Sequence, residues 1–348
     1  MKMWNIVDIA LFLVNACAIR CRGIEQRQAE KLKTGEKENK GELMMKTRRL
    51  TKWLSTLCVC SILFGCASAN PDSEKQDTQW PKKIVLVQMP NENNPAADSQ
   101  HEKFGQALSE YLGIEVEAME ASEYTAAIEG MAGGNIDVML VSPMSYFQAK
   151  ERAGAELLVS TPMSAEYVSA FIVRSDRDDI TGMEGLRGKT FAFVDQASSS
   201  GYLYPKAALV KQLNLDPDQL ESSDYFFKTV AFSGSHTTSV SGVQMGDYDA
   251  ACVAKSIIAQ MAEAGAVNAE DFKIIGSSDI IPNPAYVARG SLPEDLKAKI
   301  KAFFLSYKDA DYFEAVHGNR DIRFVEVTED DYQPAKEMLD LLHIEFGD

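Results

Sequence analysis

Thr190-Phe-Ala-Phe-Val194, Asp195-Gln-Ala197, Ser198-Ser-Ser-Gly201 and the helical run that follows through Tyr204 to Leu213 are the stretch on which the fold reading turns. A five-residue apolar run, a polar break and a helix opened by small hydroxyl residues make one strand–loop–helix unit. The same grammar recurs on both sides. Lys83 to Met89 is an apolar run of strand length, followed by a turn built on Pro90, Asn91, Asn93 and Pro95. A helix follows with Phe104, Leu108, Tyr111 and Leu112 on one face. Ile114 to Met119 reads as the next strand, with Ser122 placed to cap a helix over Glu123 to Met131. Ile136 to Val141, Leu157 to Ser160, Ser169 to Val173, Thr229 to Phe232, Ala250 to Val253 and Ala285 to Ala288 are further strands. Helices are expected from Met144, His236 and Ser256. Buried parallel strands joined by crossover helices follow, so the fold class is α/β. No internal sequence repeat is evident.

The chain has 348 residues, room for two domains of about 100–200 residues each. About 280 residues of alternating pattern exceed what one sheet organises, which favours two α/β lobes with a cleft between them. With 51 acidic against 35 basic residues the net charge is −16, which excludes a phosphate-neutralising nucleic-acid surface. Of six cysteines only Cys252 lies in the body, and the histidines, His101, His236, His317 and His343, form no metal-ligand spacing. Neither a metal nor a cofactor is expected.

Lys46, Arg48, Arg49 and Lys52 precede an apolar stretch that ends at Leu63-Phe-Gly-Cys66. A basic segment followed by a short apolar run reads as an export signal. Two such signals in series make little physical sense, so translation is expected to start at Met44 or Met45, with residues 1–44 an upstream extension and 45–65 the signal. The first 65 residues hold 12 basic and 6 acidic side chains, so the remainder carries 23 against 45 and a net −22. An anionic ligand must then be held by local donors and not by a global field. Residues 66–82, polar around Pro71, read as a tether.

The serine run Ser198-Ser199-Ser200 at a helix start makes an anion site, because first-turn amides lack intrahelical acceptors and the helix dipole favours negative charge. A second small-polar cluster, Ser233 to Thr238, also follows a strand and opens a helix, and places His236 as a further donor. Tyr124, and Ser142-Pro-Met-Ser-Tyr146, supply hydroxyls from the first lobe. Ser199, His236 and Asp249 are also the residue types of a catalytic triad, so a Ser/His esterase or phosphatase is the alternative from another class. The Gly-x-Ser-x-Gly elbow is missing, and an enzyme is not expected.

These residues resemble the phosphonate-type periplasmic binding proteins of ABC importers. The resemblance is carried by Tyr124 in its helix, Gly134-Asn-Ile-Asp137, Ser142-Pro143 with Tyr146, Leu186-Arg-Gly-Lys189, Ser198-Ser-Ser-Gly201, Ser235-His236, Gly246-Asp-Tyr-Asp249 and Ile281-Pro282. It implies a two-lobed, type II-like fold with a hinge and an interlobe ligand cleft. Lobe 1 is expected over 83–174 and 280–345, and lobe 2 over 175–279. Ser198, Ser199, Ser200, His236, Tyr124, Tyr146 and Asp249 are its implied ligand residues. Leu63-Phe-Gly-Cys66 resembles a bacterial lipobox, which implies lipidation at Cys66 and an extracytoplasmic, membrane-anchored location. Aminoalkyl-phosphonate binders of the family place carboxylates by the ligand's amine, where this chain has Ser256 and Asn283. A small phosphorus oxyanion (phosphite, phosphate or methylphosphonate) is therefore the expected ligand, and an ABC permease the expected partner of a monomer. A ligand-sensing partner of a membrane kinase shares the fold and is the alternative among binders.

Overall fold

The computed structural model describes residues 80–88 and 98–346. The export signal, Cys66, the tether up to residue 79 and the Pro90 turn lie outside the described residues.

Two five-stranded sheets are present. The first orders its strands β2-β1-β3-β10-β4, from β1 (Lys83–Gln88), β2 (Glu115–Glu120), β3 (Val138–Val141), β4 (Glu156–Ser160) and β10 (Ala285–Ala288). The second orders β7-β6-β8-β5-β9, from β5 (Ser169–Arg174), β6 (Thr190–Phe193), β7 (Thr229–Phe232), β8 (Ala250–Ala254) and β9 (Phe272–Ser277). The two arrangements match strand for strand. In each, the second strand in this order, β1 or β6, pairs parallel with two neighbours, and the fourth, β10 or β5, contributed from the other side of the crossover, pairs antiparallel with both of its own. The all-parallel expectation is thus corrected: β10 and β5 run against their sheets because the chain enters them directly from the other lobe, with no crossover helix.

Strand β5 (Ser169–Arg174) belongs to the second sheet, so the chain changes lobe at residues 161–168, ahead of 174, and returns at 278–284. The C-terminal helix α9 (Gln333–Leu341) buries Ala335, Met338 and Leu339 in the cluster built on Phe171, Phe191 and Leu203, and so belongs to lobe 2. Lobe 1 has its own core, where α1 (Asp98–Leu112) packs Phe104, Leu108 and Leu112 against Ile84 and Leu86 of β1. Helices α7 (Glu294–Ser306) and α8 (Ala310–His317) close the same core with Phe304 and Tyr312.

Asn283 ties all three passages between the lobes. Its side-chain amide donates to Thr161 Oγ1 and to the Pro162 carbonyl, both at 2.8 Å, and its own carbonyl accepts from the Tyr332 hydroxyl at 2.9 Å. Tyr332 ends the short helical turn that carries the chain into α9.

A repeated device lies beneath the matching topologies. Asp137, just before β3, donates its N–H to the Val85 carbonyl at 3.0 Å. Its carboxylate accepts from the Val85 N–H at 2.8 Å and from Arg289 Nε at 2.8 Å. Asp249, just before β8, donates its N–H to the Thr190 carbonyl at 3.0 Å, and its carboxylate accepts from the Thr190 N–H at 2.7 Å and from Arg177 at 2.6 Å. Each arginine follows the antiparallel strand of its sheet. Gly134-Asn-Ile-Asp137 and Gly246-Asp-Tyr-Asp249 are therefore one motif used twice, a local repeat that length and composition do not expose.

Removing one partner of a buried ion pair leaves an uncompensated charge. Asp137, whose side chain is 7 % exposed against 30 % for Asp249, is expected to be the more costly of the two to lose. Asp137→Ala should destabilise the fold by about 3–5 kcal/mol, and Asp249→Ala by less. Urea denaturation of the two variants checks the order.

Candidate functional site

The end of β6 delivers the serine run. Ser198 caps a π-helical turn over Ser199–Leu203, its Oγ accepting from the Gly201 N–H at 3.0 Å, and α4 (Tyr204–Leu213) continues from it. Such wide turns leave backbone groups outside the regular ladder and often mark functional sites. Gly201 lets the turn sit directly on the strand: a Cβ there would lie 2.3 Å from Val194 Cβ. Its carbonyl accepts from the Val194 N–H at 2.9 Å and from Cys252 Sγ at 3.1 Å. All three serines are fully buried.

His236 opens α5 (His236–Met245), which Ser235 caps by accepting from the Thr238 N–H at 3.1 Å. The imidazole Nδ1 accepts from the Ala254 N–H at 3.1 Å. That bond assigns the ring proton to Nε2, 3.2 Å from Ser200 Oγ, so Nε2–H donates to Ser200. Complete burial pushes the His236 pKa down to about 4, and the ring is neutral at physiological pH. The Tyr167 hydroxyl approaches Ser200 Oγ from another side at 3.5 Å. Ser200 thus accepts from its neighbours and has its own proton to place.

Lobe 1 meets this turn through α3 (Pro143–Ala153). Ser142, at its N-cap position, accepts from Ser199 N–H at 3.3 Å and from Ser199 Oγ at 3.0 Å. Ser199 Oγ in turn accepts from the Met144 N–H at 2.8 Å, and Ser145 Oγ donates to the Ala197 carbonyl at 2.6 Å. Tyr124 is the first residue of α2 (Tyr124–Ala132) and is fully buried in a cluster that includes Val194 and Ala197. The expected Ser122 cap is replaced by Glu123, whose side chain makes no capping bond.

Ser198, Ser199, Ser200, His236 and Tyr124 therefore converge where the lobes meet. Tyr146 and Asp249 do not join them. The Tyr146 hydroxyl donates to Glu329 at 3.1 Å, and its ring packs against Tyr332, 5.5 Å between centroids. Asp249 sits at the start of β8 and bonds the start of β6, the end of the sheet opposite the serines, about 3.3 Å per strand residue away. Partial burial alone would raise its pKa, but the Thr190 N–H and the Arg177 guanidinium outweigh that and hold the carboxyl below its usual range. Asp249 is a structural residue of lobe 2.

A triad is excluded by the same geometry. A histidine acting as base needs a free lone pair toward the serine and an acceptor behind the other nitrogen. Here Nε2 presents a proton to Ser200, and a backbone N–H lies behind Nδ1.

A cavity of about 400 Å³ adjoins the turn between the lobes, its lining including Tyr167, Ala254, Ser256, Asn283, Tyr286 and Phe324. Two carboxylates, Glu166 and Glu263, reach its wall, and Glu166 pairs with Lys255 at 3.0 Å. Tyr167 escaped the sequence reading, since a lone tyrosine between two strands carries no signal until the crossover is located.

The pKa of His236 lies below that of the unfolded chain, so the unfolded state takes up a proton first as pH falls. Stability from this group is complete above about pH 6.5 and is lost progressively toward pH 4, by about 2–4 kcal/mol. Urea midpoints measured from pH 7.5 to 4.5 should fall more steeply for the wild type than for His236→Gln, and parallel slopes would show that the ring is not buried neutral.

The chain matches, over residues 86–332, the family model of the periplasmic substrate-binding proteins of phosphonate ABC transporters. It is 28% identical over 273 residues to the phosphate-import protein PhnD of Mycolicibacterium smegmatis, covering 75% of this chain and 84% of that one. It is 25% identical over 183 residues to a probable ABC transporter phosphite-binding protein, PhnD1, of Prochlorococcus marinus, covering 51% and 60%. In fold it is similar to a binding-protein component of an ABC phosphonate transporter from Pseudomonas aeruginosa (TM-score 0.65, 22% identity, 76% of this chain and 87% of that chain). It is similar also to PhnD1 of Prochlorococcus marinus in complex with methylphosphonate (TM-score 0.62, 21% identity, 76% and 100%). The relatives named are binding proteins of importers, not enzymes. This chain belongs to the family of phosphonate-type periplasmic substrate-binding proteins that serve ABC transporters.

Proposed function

We propose that this protein is a lipid-anchored receptor that captures a small phosphorus oxyanion lacking a cationic tail and delivers it to an ABC permease. The observation that carries the reading is the buried Ser198-Ser199-Ser200 turn with a neutral His236 donating to Ser200. Hydroxyl protons and first-turn amides at the head of α4 supply an anion with donors that need no counter-charge. Tyr124 closes on the same point from lobe 1, and rotation about the Asn283 tie brings the lobes together. A net charge of −22 beyond residue 65 gives the protein no long-range attraction for anions, so affinity rests on these local donors.

Ser256 and Asn283 line the adjoining cavity, and the Asn283 amide protons are spent on Thr161 and Pro162. Glu166 is already answered by Lys255. A buried ammonium would find only the exposed Glu263 as a further carboxylate there, which disfavours aminoalkyl phosphonates. Among compact ligands, each oxygen left without a donor costs roughly 1–3 kcal/mol, about a ten- to hundredfold loss of affinity.

Calorimetric titration of the purified protein, stripped of carried ligand by reversible unfolding, against phosphite, inorganic phosphate, methylphosphonate and 2-aminoethylphosphonate tests this directly. Submicromolar binding of one of the first three is expected, with Ser200→Ala about tenfold or more weaker. Preference for the amine-bearing compound would overturn the ligand assignment. For the anchor, the wild type should fractionate with membranes and yield a lipid-modified N-terminal cysteine by mass spectrometry. Cys66→Ser should do neither, and an unmodified Cys66 in the mature wild type would reject the anchor.

A further inference from the structure

Ser169 is fully buried, and among the described residues its hydroxyl has no hydrogen-bond partner. Its backbone is fully engaged with Ser278: the Ser169 N–H donates to Ser278 Oγ at 2.9 Å, and its carbonyl accepts from the Ser278 N–H at 3.1 Å. Only the side chain is orphaned. Burying a hydroxyl without a partner destabilises the fold, and alanine would fill the same place on the strand without that cost.

The strand register places this hydroxyl. Ser169 is the first residue of β5 and stands opposite Ala254, the last of β8. The bond between flanking residues, Lys255 N–H to the Val168 carbonyl at 3.0 Å, makes Ser169 and Ala254 a non-hydrogen-bonded pair, the kind whose side chains lie closest. Ala254 is the residue whose N–H fixes the His236 ring. Alternation along the strands puts Ser169 on the face of Phe171 and Val173, and Ala254 on the face of Cys252, and these share one core cluster. Cys252 lies directly under the Gly201 carbonyl, one residue beyond Ser200. Tyr167, two residues before Ser169, reaches Ser200 with its hydroxyl. Ser169 thus stands directly across from Ala254 and two residues from Tyr167, the two residues that bond His236 and Ser200.

We infer that Ser169 is a further ligand-binding residue, its hydroxyl donating to the bound oxyanion from the sheet side of the site. The inference rests on the oxyanion reading above and adds a donor that neither serine-rich motif contains. The hydroxyls of the 198–200 turn and His236 approach from helix starts, whereas Ser169 approaches from a strand, so it constrains the orientation of the ligand as well as its charge.

The test compares wild type, Ser169→Ala and Ser200→Ala by titration with phosphite, inorganic phosphate and methylphosphonate, alongside thermal melting in ligand-free buffer. The expected result is about tenfold weaker binding of the preferred anion by Ser169→Ala, with a melting temperature equal to or above that of the wild type, because an orphaned hydroxyl has been removed. Unchanged affinity overturns the inference, and so does a fall in melting temperature that accompanies weaker binding, since the hydroxyl would then be a structural group. If the wild type binds and Ser200→Ala weakens it while Ser169→Ala does not, this inference alone falls. If the wild type binds none of the three anions, the oxyanion reading falls and takes this inference with it.

Discussion

A buried imidazole with no carboxylate beside it stays neutral, and a neutral imidazole has a single proton to place. In this protein the placement is decided by one backbone group, the Ala254 N–H, which occupies the lone pair on Nδ1 of His236 and leaves Nε2 protonated toward Ser200. Were that bond reversed, the ring would accept from Ser200 and the turn would hold a nucleophile–base pair. As built, the ring donates to Ser200 and cannot take its proton, and the chemistry available is recognition. The constraint reaches into the fold: Ala254 can present its N–H only because β8 runs past the end of β6, at Phe193, where Ser198 to Gly201 begin to turn.

That geometry depends in turn on a rigid strand origin, which both lobes secure in the same way. An aspartate just before β3 or β8 clamps the parallel neighbour, β1 or β6, and is itself clamped by the arginine after the antiparallel strand, Asp137 with Arg289 and Asp249 with Arg177. The clamp at one end of each sheet sets the position of the loops at the other. Equivalent positions then carry related duties: Tyr124 and His236 are each the first residue of the helix after the edge strand, β2 or β7, that pairs with the clamped one. Two lobes with one plan face each other with a hydroxyl from one side and an imidazole from the other.

Much of this was legible in the residues. Apolar runs of strand length mark the strands bounding the site, and Thr229–Phe232 and Ala285–Ala288 coincide with their elements, the first at the edge of its sheet and the second buried throughout. The serine turn and His236 stand out in the sequence because small hydroxyls at a helix start have a specific physical use. What failed did so for stated reasons. Strand direction is not encoded in hydrophobicity, so β5 and β10 were read as parallel. Asp249 is a ligand residue only by the family resemblance, and the register places it at the end of β8 away from the serines. Strand β9 and helices α7 to α9 went unassigned in a region where polar residues interrupt the pattern, and Ser169 gave no signal, since one serine at a strand end is unremarkable until its hydroxyl is seen to lack a partner.

Selectivity in such a site is a matter of counting. A cation in the pocket would attract any anion with little regard for shape, while neutral donors act only where an oxygen lies within hydrogen-bond reach. Ser199 adds a second condition, because it is already engaged across the lobes with Met144 and Ser142. A ligand oxygen that takes the Ser199 proton must replace the bond to Ser142, so the net gain from that serine is small unless the oxygen also meets Ser200 or a first-turn amide. The site therefore rewards an anion whose oxygens are arranged to meet several donors together. A tetrahedral phosphorus centre presents three oxygens to one side, and the donors at the head of α4 and at His236 lie around one point.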